Sequence, residues 1–337
     1  MRAPMHALND SLPHPAAASV RVAYRHAPLD MLLADPCLLA VFGFGDAAPA
    51  QHDDPRYLHV ALQALGTAPF ECWSVAGNVR HGRDDGIAWS ADATLQFGAL
   101  EVADDGDVEA ASAQAYQRLQ AWLAASGYPH PLRLWNYMDA ITEGEGDGER
   151  YRRFCVGRAR GIGRELAPAE LPAATAIGDP RRSGRFQLYW LAARAAGTAL
   201  ENPRQTQAWR YPRQYGPQAP GFARAMLPAN ESMPLLLSGT AAVVGHASQH
   251  GDSLAAQLDE TLANLDSLVA TARALRPGLA ARLGAGSPLK VYVRDADALA
   301  QVAALLDQRL PPMVPRLVLH GHVCRRELAV EIDGVHA

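Results

Sequence analysis

Two short stretches near the end of the chain, Pro315-Arg316-Leu317-Val318-Leu319 and Leu328-Ala329-Val330-Glu331-Ile332-Asp333, decide how the rest is read. Branched and apolar residues make each a strand, over residues 316–319 and 323–332. In the second strand Glu331 stands between two apolar neighbours, and alternation points it away from Val330 and Ile332. The pattern leaves two environments open. One is a solvated edge; the other is a closed pocket, where desolvation raises a carboxyl pKa until the group donates a proton near neutral pH.

Upstream, residues 289–293 read as a further strand, and Asp295 caps a helix to about residue 309. Residues 235–245 alternate small and branched side chains as a strand. Gly251-Asp252-Ser253 then caps a long helix to about residue 275, with Leu254, Leu258, Leu262, Leu265 and Val269 on one face. The first half has the same grammar. Asp105-Gly106-Asp107 opens a helix in which Val108, Ala111, Ala115, Leu119 and Leu123 share a face, and Gly127 stops it before a strand over residues 132–137. Phe97-Gly98-Ala99-Leu100-Glu101-Val102 before one helix answers Ser238-Gly239-Thr240-Ala241-Ala242-Val243 before the other, which suggests a degenerate internal duplication. Residues 1–35 read as an irregular leader with one strand over residues 19–24, and residues 37–45 as a buried strand ending in a turn. Residues 143–149 form an acidic, glycine-rich loop, and residues 151–215, rich in arginine, proline and aromatics, form a long connection between the halves.

The 337 residues suffice for two domains, and 49% apolar with 20% charged residues is an ordinary globular mix. Thirty-one basic against 35 acidic side chains give a net charge of −4, without the positive footprint of a nucleic-acid binder. No basic, apolar leader and no apolar run long enough to span a bilayer is present. Cys37, Cys72, Cys155 and Cys324 are scattered and fit a reducing cytoplasm. The P-loop, dinucleotide, zinc-protease and serine-hydrolase motifs are all missing. His246, His250, His320 and His322 lack a carboxylate or cysteine at ligand spacing, so no metal is expected. Lys290 is the only lysine; the remaining cations are arginines, whose forked guanidinium grips carboxylates in pairs of hydrogen bonds.

The ending from Pro315-Arg316 to Val330-Glu331-Ile332 resembles that of the RidA (YjgF) family, in which an arginine precedes a Val-Glu-Ile strand by the same fifteen positions. A wider resemblance rests on Arg150-Tyr151-Arg152-Arg153-Phe154-Cys155-Val156-Gly157-Arg158 and on the segment from Arg213-Gln214-Tyr215-Gly216 through Gly221-Phe222-Ala223-Arg224-Ala225. Ser238-Gly239-Thr240-Ala241-Ala242-Val243-Val244-Gly245-His246 and Cys324-Arg325-Arg326-Glu327 belong to it too. Together these are similar to the chorismatases, especially the 3-hydroxybenzoate synthase branch, over about residues 90–337.

That resemblance implies an α+β fold of two RidA-like units, each a mixed sheet packed by helices. The expected division is an N-terminal unit with its leader (1–150), a connecting insertion (151–215) and a C-terminal catalytic unit (216–337). It implies chorismate as substrate, a cytoplasmic enzyme without metal or organic cofactor, no nucleic-acid or membrane partner, and a monomer or homotrimer. Arg158 and Arg224 are the implied carboxylate clamps, with Tyr211 and Tyr215 as hydrogen-bond donors beside them. Glu331 is the implied general acid, protonating the enolpyruvyl methylene. Cys324 and Gly239 are the residues implied to favour ring rearrangement to 3-hydroxybenzoate and pyruvate, with 4-hydroxybenzoate as a further product in some relatives. The hydrolytic branch, giving a dihydroxycyclohexadiene carboxylate, is the same-site alternative; there an inert residue and an alanine take these two places. A RidA-like binding or imine-clearing protein with Arg316 and Glu331 as its whole site is the alternative of another class. Pocket residues within residues 1–90 fall outside the resemblance.

Overall fold

The computed structural model describes residues 20–337, whose strands form three main sheets. The first comprises β1 (Arg21–Arg25), β2 (Leu38–Phe44), β3 (Tyr57–Val60) and β4 (Phe70–Ser74), with the short helix α1 (Leu29–Leu33) after β1. The expected strand at residues 19–24 is β1, although Ser19 itself lies outside the described residues. The second sheet comprises β5 (Arg80–Asp84), β6 (Ile87–Ala91), β7 (Leu95–Ala103), β8 (His130–Asp139), β9 (Ala173–Asp179) and β10 (Arg185–Ala193). Helices α2 (Val108–Ser126) and α3 (Arg150–Ile162) cover it. The third comprises β11 (Thr198–Leu200), β12 (Ala225–Leu227), β13 (Leu235–Ala241), β16 (Leu289–Val293), β17 (Arg316–His320) and β18 (Val330–His336). It is covered by α4 (Leu254–Leu275) and α5 (Leu299–Arg309), and β14 (Val243–Val244) and β15 (Ala247–Ser248) form a small hairpin beside it.

The three sheets share one plan. A parallel pair, β2/β3, β8/β9 or β16/β17, is joined by the last strand of each unit, β4, β10 or β18. That strand runs antiparallel between the middle strand and the first, β1, β7 or β13. In the second and third sheets the order strand, helix, strand, helix, strand, strand is the same from β7 to β10 and from β13 to β18. Residues 97–102 lie in β7 and residues 238–241 in β13, at matching places. The chain is α+β, with two full copies of the plan and a shortened third copy at the N-terminus that the sequence reading did not separate from its neighbour. All three sheets turn one face to a common core containing Phe42, Trp73, Phe97, Trp135, Tyr189 and Tyr292.

The strongest sequence signals have visible causes. The Asp107 side chain accepts from Ala110 N at 3.1 Å to open α2, and Gly127, at φ 77°, closes it in the left-handed conformation. Ser253 opens α4 in the same way through Ala256 N at 3.3 Å. Two expectations change. Residues 151–215 do not form a separate connector: α3, β9 and β10 belong to the second sheet and its covering layer, and β11 opens the third. The helix α3 reads poorly as a sequence because it carries arginines at 150, 152, 153, 158 and 160, while Gly157 and Gly161 let it lie directly on the α2 backbone. The last strand starts at Val330, not at 323, because Arg294 and Gln257 capture the backbone groups of residues 323–329 and hold them as a turn.

The second and third sheets meet along β9 and β13. Ala174 N donates to Ser238 Oγ at 2.9 Å, and Ala173 and Gly178 form bridges to Ala223 and His322. Among the described residues no helix is long and apolar enough to cross a membrane.

Candidate active site

A cavity of about 530 Å³ opens along that seam. Its walls come from β8, α3 and β9 on one side, from β13, the 323–329 turn and β18 on the other, and from residues 205–224 across them. Arg158, Tyr211, Tyr215, Arg224, Gly239, Cys324 and Glu331 all line this one cavity.

Val330 and Ile332 face the helix-covered core of the third sheet, so Glu331 faces the other way, into the cavity. Burial pushes its carboxyl up to about 8, and the Asp333 charge two residues along adds to the rise against Arg133, Arg294 and Arg224, which favour the ionised form. Asp333 is itself tightly held: it accepts from Arg133 Nη2 at 2.9 Å, Thr175 Oγ1 at 2.8 Å and the Tyr292 hydroxyl at 3.1 Å. Lys290 lies 3.5 Å away and pairs with Glu71 of β4 at 2.9 Å. The only lysine of the chain thus ties the N-terminal sheet to the floor beneath Glu331.

Gly239 sits where β13 bulges against β18, between Leu237 and Thr240. A Cβ there would overlap the Glu331 carboxyl, 2.8 Å from its carbon, and lie 3.3 Å from Thr175 Oγ1. The missing side chain is the space the acid occupies.

Arg158 projects from α3 and is 6% exposed. Its guanidinium carbon lies 5.2 Å from the centre of the Tyr116 ring, and its Nε and Nη2 have no hydrogen-bond partner among the described residues. Buried guanidinium donors left unpaired are costly, so they mark a place for an anion. Arg224 is held by its Nη2, which donates to Thr206 O at 2.9 Å and to the Tyr211 hydroxyl at 2.7 Å, while its Nε has no partner among the described residues. Accepting from Arg224 leaves the Tyr211 hydroxyl its own proton to donate. Tyr215 lies beside Tyr211, ring centres 5.3 Å apart.

Cys324 is half-buried at the cavity wall. Burial pushes its thiol up to about 12, with Glu331 adding to the rise, so it stands as a neutral thiol at neutral pH. Arg316 lies elsewhere: it pairs with Asp307 and donates to Val314 O, outside the residues lining the cavity. A site made of Arg316 and Glu331 alone is therefore incorrect: β16 stands between β17 and β18, and Arg316 pairs with Leu289, three residues along β16 from Tyr292, the partner of Glu331.

Several lining residues escaped the sequence reading. Arg325 lies 4.0 Å from the Tyr215 ring centre and 5.1 Å from that of Tyr211, braced by His246 O and Ser248 Oγ at 2.9 and 3.1 Å. Its place next to Cys324 was the available signal. Tyr151 stands in the same motif as Arg158, which was its signal; Thr175 and Asn136 had none, since an alanine-rich strand and a mixed strand do not announce a pocket. The acidic loop expected at residues 143–149 borders the mouth through Gly144, Glu145 and Gly146. Arg326 holds the start of that loop through Gly144 O and, just before it, Thr142 O at 2.8 Å, and Arg213 pairs with its Asp147. Among the described residues no group of three or more histidine, cysteine, aspartate or glutamate side chains is placed to hold a metal ion.

Comparison with known proteins shows the family. Residues 71–192 match a family model described as chorismatase FkbO/Hyg5-like, N-terminal. A chorismatase of Streptomyces rapamycinicus is 37% identical over 275 residues, covering 79% of this chain and 82% of the relative. A 3-hydroxybenzoate synthase of Streptomyces hygroscopicus is 35% identical over 289 residues, covering 82% of this chain and 84% of the relative. A chorismatase crystal structure superposes with a TM-score of 0.83 at 32% identity, covering 95% of this chain and 98% of that one. With a relative of this identity matched over most of both lengths, the chain belongs to the chorismatase family.

Proposed function

We propose that this chain cleaves chorismate to 3-hydroxybenzoate and pyruvate, with Glu331 as general acid and Arg158 and Arg224 as the carboxylate clamps. The observation that carries the reading is a buried carboxyl, Glu331, raised to about 8, in the same cavity as the unpaired guanidinium donors of Arg158 and Arg224. Chorismate brings two carboxylates and an enol ether, which need two cationic forks and one proton donor. The curated relatives, a chorismatase and a 3-hydroxybenzoate synthase, support the substrate and the aromatic product.

Glu331 gives its proton to the methylene carbon of the enol ether. The charge left behind is shared between the ether carbon and oxygen as an oxocarbenium ion, and the Glu331 carboxylate then gains from Arg133, Arg294 and Arg224, which favour its ionised form. The ring C–O bond breaks, the three-carbon fragment leaves as pyruvate, and the ring rearranges and loses one proton, balancing the one it received. 3-Hydroxybenzoic and pyruvic acids together have the composition of chorismic acid, so the cleavage is redox-neutral. Water capture instead adds one water to the ether carbon, and the hemiketal collapses to pyruvate and the dihydroxycyclohexadiene carboxylate with the ring C–O bond intact. Cys324 meets the ring as a neutral thiol and so acts as a proton-carrying group and not as a preformed thiolate.

Two outcomes follow. Arg158→Gln keeps the fold and lowers kcat/KM by about 10- to 10²-fold, because a charged hydrogen-bonding contact is worth roughly 1.5–3 kcal/mol. A rise in KM is part of that loss, and steady-state kinetics with an unchanged kcat/KM would remove Arg158 from substrate binding. The wild-type kcat/KM is level through neutral pH and falls as pH rises past about 8, where the free acid gives up its proton. A profile that climbs through that range would contradict an acid at Glu331. The identity of the reaction is tested by incubating the chain with chorismate in oxygen-18 water and separating the products. Unlabelled 3-hydroxybenzoate equimolar with pyruvate is expected; an unlabelled dihydrodiol as the main product, with oxygen-18 in the pyruvate beyond its own ketone exchange, would place the chain with the hydrolases.

A further inference from the structure

The turn at residues 323–329 brings Cys324 to the cavity, and the sequence alone would have made it strand. One guanidinium gathers three of its carbonyls. Arg294, the residue after β16, gives its Nε to Leu328 O at 2.8 Å and its Nη2 to Val323 O and to Arg325 O, the latter at 2.6 Å. The two carbonyls on Nη2 belong to the residues immediately before and after Cys324. Gln257 of α4, buried, pins the far end by donating to Glu327 O at 2.7 Å and accepting from Ala329 N at 2.8 Å. Within residues 323–329 the backbone makes one hydrogen bond, Leu328 N to Arg325 O at 3.1 Å, and Ala329 O accepts from Arg294 N at 2.9 Å. A planar fork that meets three carbonyls at once fixes both position and twist of the turn, which an ammonium on a flexible stem cannot do.

We infer that Arg294 is a positioning residue for Cys324: by gathering the carbonyls of Val323, Arg325 and Leu328 it holds the thiol against the ring, and thereby sets how much of the oxocarbenium ion goes to 3-hydroxybenzoate and how much is captured by water. The inference rests on the function proposed above. Arg294 does not line the cavity; its charge also favours the ionised form of Glu331 and so bears on the rate of protonation, whereas its effect on the partition between products passes through the turn. A misplacement of about 1 Å can cost on the order of 10²-fold in an oriented reaction, whereas water needs no orientation by Cys324 to attack. Loosening the turn therefore penalises rearrangement and spares capture.

The test is product analysis of Arg294→Met and Arg294→Lys beside Cys324→Ala and Leu306→Ala, the last truncating the α5 core away from the cavity. Arg294→Met is expected to continue releasing pyruvate while its ratio of dihydrodiol to 3-hydroxybenzoate rises towards that of Cys324→Ala. Arg294→Lys should fall between Arg294→Met and wild type, and Leu306→Ala should keep the wild-type ratio at comparable loss of thermal stability. A wild-type ratio in folded Arg294→Met overturns the inference, as does an equal shift in Leu306→Ala. If Arg294→Met does not fold, a wild-type ratio in Arg294→Lys overturns it in the same way. A wild-type chain that yields no 3-hydroxybenzoate would instead overturn the proposed function, and the inference with it.

Discussion

Glu331→Gln is expected to fold and to lose about 10² to 10⁴-fold of chorismate turnover, the usual worth of a positioned general acid. Glutamine preserves the shape of the side chain and its burial but has no proton acidic enough to place on carbon. The same change should stabilise the protein. In the folded state the carboxyl is raised to about 8, whereas in the unfolded chain it returns to the ordinary carboxylate value. Between those two points unfolding releases a proton, so stability falls as pH rises, and the penalty is complete above about 8. Glutamine carries no such penalty. Melting curves of the variant and wild type should therefore draw apart from mildly acidic pH upward and run level beyond about 8, with the variant the more stable. Near wild-type turnover in a folded variant would remove Glu331 from the chemistry.

Gly239→Ala is expected to cost roughly 10- to 10²-fold in kcat with the fold retained, through loss of alignment of the acid. The resemblance to the 3-hydroxybenzoate synthases placed an added methyl beside the ring, where it would tip the balance of products. In this chain the methyl would overlap the Glu331 carboxyl and lie 3.3 Å from Thr175 Oγ1. The carboxyl ends a flexible side chain and borders the cavity, so it can swing aside without unfolding the sheet. What is lost is its line to the methylene carbon. Kinetics and product analysis separate the two accounts: a wild-type kcat with an altered product ratio would favour the ring-side effect, and a fallen kcat the displaced acid.

The elements that could be read from the sequence are those whose causes are local. Asp107, Ser253 and Gly127 are caps that act within three or four residues, so α2 and α4 emerge with their ends. Val330-Glu331-Ile332 shows its alternation within three residues, although only its packing reveals that Glu331 is on the cavity side. The turn at residues 323–329 was misread because its cause, Arg294 and Gln257, lies some 30 to 70 residues upstream. The N-terminal sheet was hidden for a similar reason. Its strands have four to seven residues, and the charge of buried Glu71, which also accepts from Trp73 Nε1 at 2.7 Å, is met by Lys290, 219 positions away. Arg158 and Arg224 were proposed through resemblance to a family, since nothing in an arginine-rich chain distinguishes a clamp from a surface ion pair. The distinction is made by burial and by the donors left without partners.

The central claim, that Glu331 drives aromatising cleavage of chorismate in the cavity between the second and third sheets, is tested most directly by following both products from wild type and Glu331→Gln at neutral pH. Wild type should release 3-hydroxybenzoate and pyruvate in equal amounts as chorismate disappears, and the folded variant should release about one per cent or less of either in the same time. Equal rates from the two proteins, or loss of chorismate from wild type without pyruvate, would contradict the account.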